Sequence, residues 1–482
     1  MNRFILLAAS LFAATDAQRA CEGIEEVHPP FNWHDCYGDS CFERYAAVVL
    51  DSKLRQIDCC NGSRNTLQRA ACKKKNKDQC PVDCCIHGAD YGAHGIFTNG
   101  TDLTLDVGAS HPNTPKDLIR VMLMKDENHY EWTQIIDPWD SEYTFDVEVR
   151  DVPPGYKARL SLHWMWEKGN MDKKKGDKAG AKYGTGYCDA HCDQGQRFVM
   201  GRANYDGWEP SQTDPHLGTG HLGACCIHLV LWEGNTHSTD FGHYPCDPRG
   251  PHMCKGIKCK MDCYSVGCTW NPNGKDQKPF YGPGKTNTID SSRKFSVVNQ
   301  WFSTQKPMQP VMTRRVMYYI QDGKLIPSAP SDFRTKKKEF HTMDKGFCAA
   351  QAKAWGLGKW LKKNPWWVNH DAWQYDMVPV FSLVRDYEYD MLQGFVHGDD
   401  KLKSIPINAS VTFSNFRYGR INRTFTGLVD PEYRPRKPGG WRETYEEKCK
   451  GTCGTSQEKW AKYDREHSLK HIHKIPPPGV DK

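Results

Sequence analysis

The sequence predicts an all-β fold, a sandwich of two curved antiparallel sheets whose long loops are pinned by disulfides. Three observations carry this prediction. Apolar residues alternate at period two in several segments, glycine (41) and proline (29) are abundant, and the 21 cysteines are clustered rather than spread. No internal repeat or heptad pattern competes over the 482 residues.

The elements follow in chain order. Arg3 precedes an apolar run from Phe4 to Ala14, with small residues at Thr15 and Ala17. This is the order of a secretory signal, expected over residues 1–17, and the run is too short to span a bilayer. Nine cysteines lie between Cys21 and Cys85. Residues 96–166 hold none and carry the first alternating runs: Leu103, Leu105 and Val107, then Phe145, Val147 and Val149, then Leu160 and Leu162. Nine more cysteines lie between Cys188 and Cys268. Strands are expected again over 295–301, 312–320, 378–383 and 411–416, with Cys348 isolated among them. The chain closes on a charged stretch, 430–482, that carries the Cys449 and Cys453 pair and ends near Pro476-Pro-Pro478. It is read as an extension without a binding module.

Composition narrows the function. A formal charge of +7 across 65 basic and 58 acidic residues is too mild for nucleic acid to be the main partner. No later stretch reaches 18 apolar residues, so no membrane span is expected. Dense cysteine suits an oxidising compartment, and four sequons, at Asn61, Asn99, Asn408 and Asn422, suit a secretory, extracellular destination. The histidines His191, His216, His221, His228, His237 and His243 show no diagnostic metal spacing, and neither a metal nor another cofactor is expected.

Five segments occur together in order: His28-Pro-Pro-Phe-Asn-Trp-His-Asp-Cys36, Ala179-Gly-Ala-Lys-Tyr-Gly-Thr-Gly-Tyr-Cys-Asp189, Gly207-Trp-Glu-Pro210, Phe280-Tyr-Gly-Pro-Gly284 and Val411-Thr-Phe-Ser-Asn415. From about Cys21 to about Val429 the chain resembles glycoside hydrolase family 7, the secreted cellobiohydrolases and endoglucanases that cut β-1,4-glucan with retention. The resemblance implies a concanavalin-like β-jelly roll over 18–429, with a glucan chain held on its concave face. It also implies nine disulfides: Cys21 with Cys85, Cys36 with Cys41, Cys59 with Cys84, Cys72 with Cys80, Cys188 with Cys226, Cys192 with Cys225, Cys246 with Cys263, Cys254 with Cys259 and Cys268 with Cys348. Cys60 is left over, either buried and inert or linked to another chain.

The same resemblance locates the chemistry. Retaining glycosidases use two carboxyls about 5–5.5 Å apart, one as nucleophile and one as acid then base. The family sets them in a Glu-x-Asp-x-x-Glu motif just after a Cys-Cys pair. Here the segment reads Cys225-Cys-Ile-His-Leu-Val-Leu-Trp-Glu-Gly-Asn235. Glu233 holds the acid/base position, His228 stands at the nucleophile position, and Val230 replaces the assisting Asp. An imidazole and an isopropyl group cannot supply those carboxylates, and Glu233 is expected to lack a carboxyl partner.

The sugar platforms have changed too. At four positions where the family sets tryptophans, this chain has Leu54, Gln56, Val384 and Gln393. Candidate sugar contacts carried over are Lys182, Tyr244, His243 and Tyr387, with Tyr244 at the place of a family histidine. Residues 334–373 depart most from the family, with Lys336-Lys-Lys338 followed by Trp355, Trp360, Trp366, Trp367 and Trp373. They read either as an acidic-glycan surface or as a rebuilt loop. The expectation is a polysaccharide-binding or structural extracellular protein with hydrolysis lost or severely impaired. The alternative is an altered glycosidase with Glu233 as acid and His228 as base.

Overall fold

The computed structural model describes residues 19–21, 26–37, 40–59, 63–64, 84–125, 130–134, 140–173, 176–204, 206–214, 216–248, 250–272, 280–303, 312–331, 340–356, 377–385 and 408–425. Several expectations fall outside these residues: the signal segment, the C-terminal stretch, the lysine run with its following tryptophans from Trp360 on, Tyr387, Gln393, Cys60, the Cys72 and Cys80 pair, and the Asn61 sequon.

Two sheets face one another. The smaller has seven antiparallel strands in the order Cys268–Trp270, Thr239–Tyr244, His228–Gly234, Tyr156–His163, Val378–Arg385, Leu118–Met124, Ala47–Leu50. The larger has ten strands. Its main path runs Lys324–Pro327, Met312–Gln321, Phe295–Ser303, Ser141–Asp151, Ser410–Arg420, Trp33–Tyr37, Ser40–Arg44. Of its paired strands, Trp33–Tyr37 runs parallel to Ser410–Arg420. The alternating runs became strands because one face of each could be buried. Phe145, Val147 and Val149 pack inward from the larger sheet against Leu160, Leu162, Leu229 and Phe381 from the smaller one in a single core.

The two sheets bury their outer faces differently. On the larger sheet the Ser141–Asp151 strand alternates toward its end, with Asp146 and Glu148 partly exposed between buried neighbours. On the smaller sheet, His228–Gly234, Thr239–Tyr244 and Leu118–Met124 are buried at every position. Loops cover its concave face: Met165, Tyr187, Cys188 and Val199 pack on Met122, Val378 and Val380. Buried on both faces, Leu118–Met124 is apolar at every position but Arg120, whose charge is met by Asp51 and Asp193.

Disulfides hold these loops down. Seven expected bridges are present: Cys21–Cys85, Cys36–Cys41, Cys188–Cys226, Cys192–Cys225, Cys246–Cys263, Cys254–Cys259 and Cys268–Cys348. Cys84 is disulfide-bonded, while the Cys59 side chain expected opposite it lies outside the description. Cys348 sits on an α-helix, Lys345–Ala354, that the strand-based reading did not foresee. The Asp344 side chain caps it by accepting from the Phe347 N–H at 2.8 Å. Among the described residues no helix is long and apolar enough to cross a membrane.

Candidate active site and its relatives

The His228–Gly234 strand turns back through Asn235. Its side-chain oxygen accepts from the His237 and Ser238 N–H groups at 2.8 and 3.0 Å, closing a tight loop into Thr239–Tyr244. Period two would send Val230 and Glu233 to opposite faces. A β-bulge at Leu231 and Trp232 prevents this, because the register skips between Val230 and Glu233 on one side and between Leu160 and Ser161 on the other. Leu229, Leu231 and Trp232 therefore enter the core, whereas Val230 packs with Tyr244 and the disulfides on the concave side. The bulge is braced from the other sheet: Arg315 donates from Nη2 to the carbonyls of Val230 and Leu231 at 2.8 and 3.1 Å. A spacing of three thus brings residues 228, 230 and 233 to one face.

Around His228 the cluster is aromatic. His163, His228 and Tyr244 face one another on adjacent strands, and their rings stack with centroids 4.9 and 4.4 Å apart. His228 Nδ1 accepts the Ala190 N–H at 3.0 Å, so the ring proton of the neutral form sits on Nε2, which has no partner among the described residues. Ala190 is held in place by Asp189, whose carboxylate accepts the His191 and Asp193 N–H groups and the Tyr187 hydroxyl. Burial, with the neighbouring His163, His191 and Arg159, holds the His228 pKa well below that of a free imidazole. His163 is lowered to about 3, chiefly by burial; its Nδ1 donates to the Cys188 carbonyl at 2.7 Å and its Nε2 accepts from the Ser161 hydroxyl at 2.8 Å.

Around Glu233 the cluster is ionic. The strands on either side place Arg159 and Asp240 against it. Arg159 donates from Nε to Glu233 Oε2 at 2.5 Å, and its Nη2 meets the same oxygen at 2.5 Å. Asp240 shares a side-chain hydrogen bond with Glu233. Burial alone would raise the Glu233 pKa, but Arg159 and Lys157 outweigh it and the carboxyl falls to about 2. Asp240, buried beside that negative charge, is pushed well above the usual carboxylate range and holds the proton. The expectation that Glu233 lacks a carboxyl partner is therefore corrected. Its partner is Asp240, in hydrogen-bond contact rather than across a gap that admits a sugar.

A glycosyl hydrolase family 7 profile matches residues 20–397. The chain belongs to glycoside hydrolase family 7. Solved relatives agree. A family 7 cellobiohydrolase from Daphnia pulex is 26% identical with a TM-score of 0.75, covering 84% of this chain and 100% of its own. A cellobiohydrolase from Melanocarpus albomyces, solved with cellotetraose, is 29% identical with a TM-score of 0.75 over 85% and 100%. An endoglucanase I solved with cellobiose is 27% identical with a TM-score of 0.72 over 84% and 100%. Family 7 membership makes this a cellulase-type glycoside hydrolase scaffold with the expected jelly roll.

On this family 7 scaffold the remaining candidates scatter. His243 is turned to the inter-sheet core, its ring edge-on to Trp301 at 5.1 Å, because it alternates with Tyr244. This removes it as a sugar contact. Lys182 belongs to the segment packed on Ala47–Leu50, four strands from His228 and so roughly 19 Å away across the sheet. Its Nζ lies 3.3 Å from the Tyr130 hydroxyl. Gly184 in that segment permits the approach, since a Cβ there would meet the Leu50 carbonyl oxygen at 2.0 Å. Of the changed platform positions, Leu54 is buried in the core, Gln56 bonds Asp58 at 3.3 Å, and Val384 packs against the core.

Sequence reasoning missed Arg159 and Asp240. The four-residue loop 235–238 between Glu233 and Asp240 was the available signal, since a tight hairpin sets two residues equidistant from its turn face to face.

Proposed function

We propose that this family 7 chain has lost retaining hydrolysis and serves as an extracellular glycan-binding or structural protein. One observation carries the reading. The only carboxyl retained from the family motif, Glu233, is buried and tied to Arg159 at 2.5 Å, which favours its ionised form. A leaving-group oxygen needs a proton, and an acid with a pKa near 2 that is held as an ion pair has none to give at neutral pH. No carboxylate stands at the nucleophile position, where His228 is fully buried between two rings. In another hydrolase class, loss of the covalent nucleophile alone lowers kcat by about 10⁶.

The rival reading, Glu233 as acid and His228 as base, has less support. The His228 Nδ1 lone pair already receives the Ala190 N–H, so it is not available to activate water. The secretory signal, the sequons and the bridges support an extracellular place for the protein.

The test is cellobiose release from cellulose and soluble β-glucan by the purified protein. Turnover no greater than that of the Glu233→Gln variant is expected. Robust release abolished by that substitution overturns the proposal, and an inverted product anomer by NMR would establish the rival. A glycan array separates binding from a purely structural role.

A further inference from the structure

The loop that follows the His252–Lys255 strand has a composition that folding does not require. Residues 255–261 read Lys-Gly-Ile-Lys-Cys-Lys-Met, and Gly256–Lys260 form a single 3₁₀ turn. Ile257 is 74% exposed and Met261 56% exposed. Lys255, Lys258 and Lys260 are exposed around them. Among the described residues Lys255 lies 3.6 Å from Asp206, and neither Lys258 nor Lys260 makes an ion pair.

The turn is held rigidly. The Cys254–Cys259 bridge closes it, and Cys246–Cys263 anchors the chain just beyond. The Gly256 N–H donates to the His221 carbonyl at 2.8 Å, and the strand before the turn pairs with Leu222–Cys225. Beneath it Cys259 is buried. Nothing lies within 4 Å of where a Gly256 Cβ would stand, so the turn projects into open space there. Two exposed apolar side chains and three exposed lysines thus lie within seven residues of one disulfide-closed turn.

We infer that this turn docks the protein on an anionic lipid surface, with Ile257 and Met261 entering the headgroup boundary and Lys255, Lys258 and Lys260 meeting lipid phosphates or carboxylates. The chemistry favours lipid over polysaccharide. A sugar chain gains from flat aromatic faces, which this tip lacks, whereas aliphatic groups ringed by lysine suit an apolar layer beneath anionic heads. Lysines near such a surface each add attraction that salt screens. Ordering cost is small because the bridges already fix the turn. The inference does not depend on the state of Glu233.

The test is co-sedimentation of the full chain with phosphatidylcholine vesicles with and without 30 mole per cent phosphatidylserine, an arbitrary but conventional composition of about one anionic lipid in three. Binding to the anionic vesicles only is expected, weakening as salt rises. Lys258→Glu with Lys260→Glu should weaken it by about tenfold or more, and Ile257→Ser with Met261→Ser by about fivefold or more. All four side chains are exposed, so melting temperatures should match the parent and separate lost binding from lost fold. Absence of binding overturns the inference. So does binding that survives the Ile257 and Met261 substitutions unchanged and is competed by a soluble polyanion, which would mark a merely electrostatic surface.

Discussion

Asp240 faces Glu233 across adjacent strands, and Arg159 on the strand at the other side holds the Glu233 carboxylate at 2.5 Å. In a retaining glycosidase the two carboxyls stand apart to flank a sugar. Here Glu233 and Asp240 are paired across neighbouring strands, and with Arg159 they form a buried polar clamp linking three strands.

The clamp predicts a stability role for Glu233. Removing one partner of a buried pair strands the other charge, at a cost of about 3 kcal/mol. Glu233→Gln and Arg159→Met should each lower stability on that order in denaturant titrations. The double variant should lose less than the sum. Strict additivity, or a fully stable Glu233→Gln, would contradict the clamp.

Asp240 predicts an alkaline liability. Its folded pKa is raised, so its contribution is fully present below about pH 4 and is lost as pH rises through the folded value. Glu233, lowered to about 2, acts oppositely, its contribution being lost as pH falls from about 4.5 toward 2. Asp240→Asn keeps a donor toward Glu233 without the ionisation. It should be more stable than the parent at pH 8, by on the order of 1 kcal/mol, and nearly equal at pH 4. A thermal melt at both pH values decides.

The histidines predict an acid limit. His28, lowered to about 4 chiefly by burial, joins His163 and His228 as rings that fold neutral. A histidine whose folded pKa is depressed stabilises above its unfolded value near 6.5, and that stability drains as pH falls toward the folded value. Unfolding midpoints should therefore decline from pH 7 to pH 4. His228→Phe retains a ring between His163 and Tyr244 and should flatten the slope, although it leaves the Ala190 N–H without its acceptor. An unchanged slope would remove His228 from the account.

The sequons predict a pattern of modification. Asn99 and Asn408 are exposed. Asn422 is not equivalent: its Oδ1 is buried, and the Thr424 hydroxyl is enclosed against Thr144 and Glu142. Asn422 is half-buried, and the Thr424 hydroxyl that glycan transfer needs is already engaged, so transfer is disfavoured once this arrangement has formed. Peptide mass spectrometry of the folded protein from a eukaryotic secretory host should find higher glycan occupancy at Asn99 and Asn408 than at Asn422.

Much of the fold was legible because burial imposes a period. Phe145, Val147 and Val149 alternate since one face of their strand meets the core, and any reader of the sequence can see it. The helix Lys345–Ala354 was harder, for only Phe347, Cys348, Gln351 and Ala352 are buried and its apolar stripe is thin. At the site, the histidine at 228 and the valine at 230 were readable directly, as was their spacing from the Cys225-Cys226 pair. His243 was misread because it stands beside Tyr244 in sequence yet on the opposite face of the strand.

By itself the sequence determined the strand pattern, the family scaffold, the bridges around the concave face, and the presence of His228 and Val230 five and three residues before Glu233. Those are properties of residue identity and short spacing. Only the tertiary structure decided what became of Glu233. Whether a carboxyl keeps or releases its proton depends on charges a few ångströms away, and here those come from Arg159 and Asp240 on other strands. The bulge at Leu231 and Trp232 and the turn at Asn235 set which residues meet, and a shift of one position would have sent them to opposite faces.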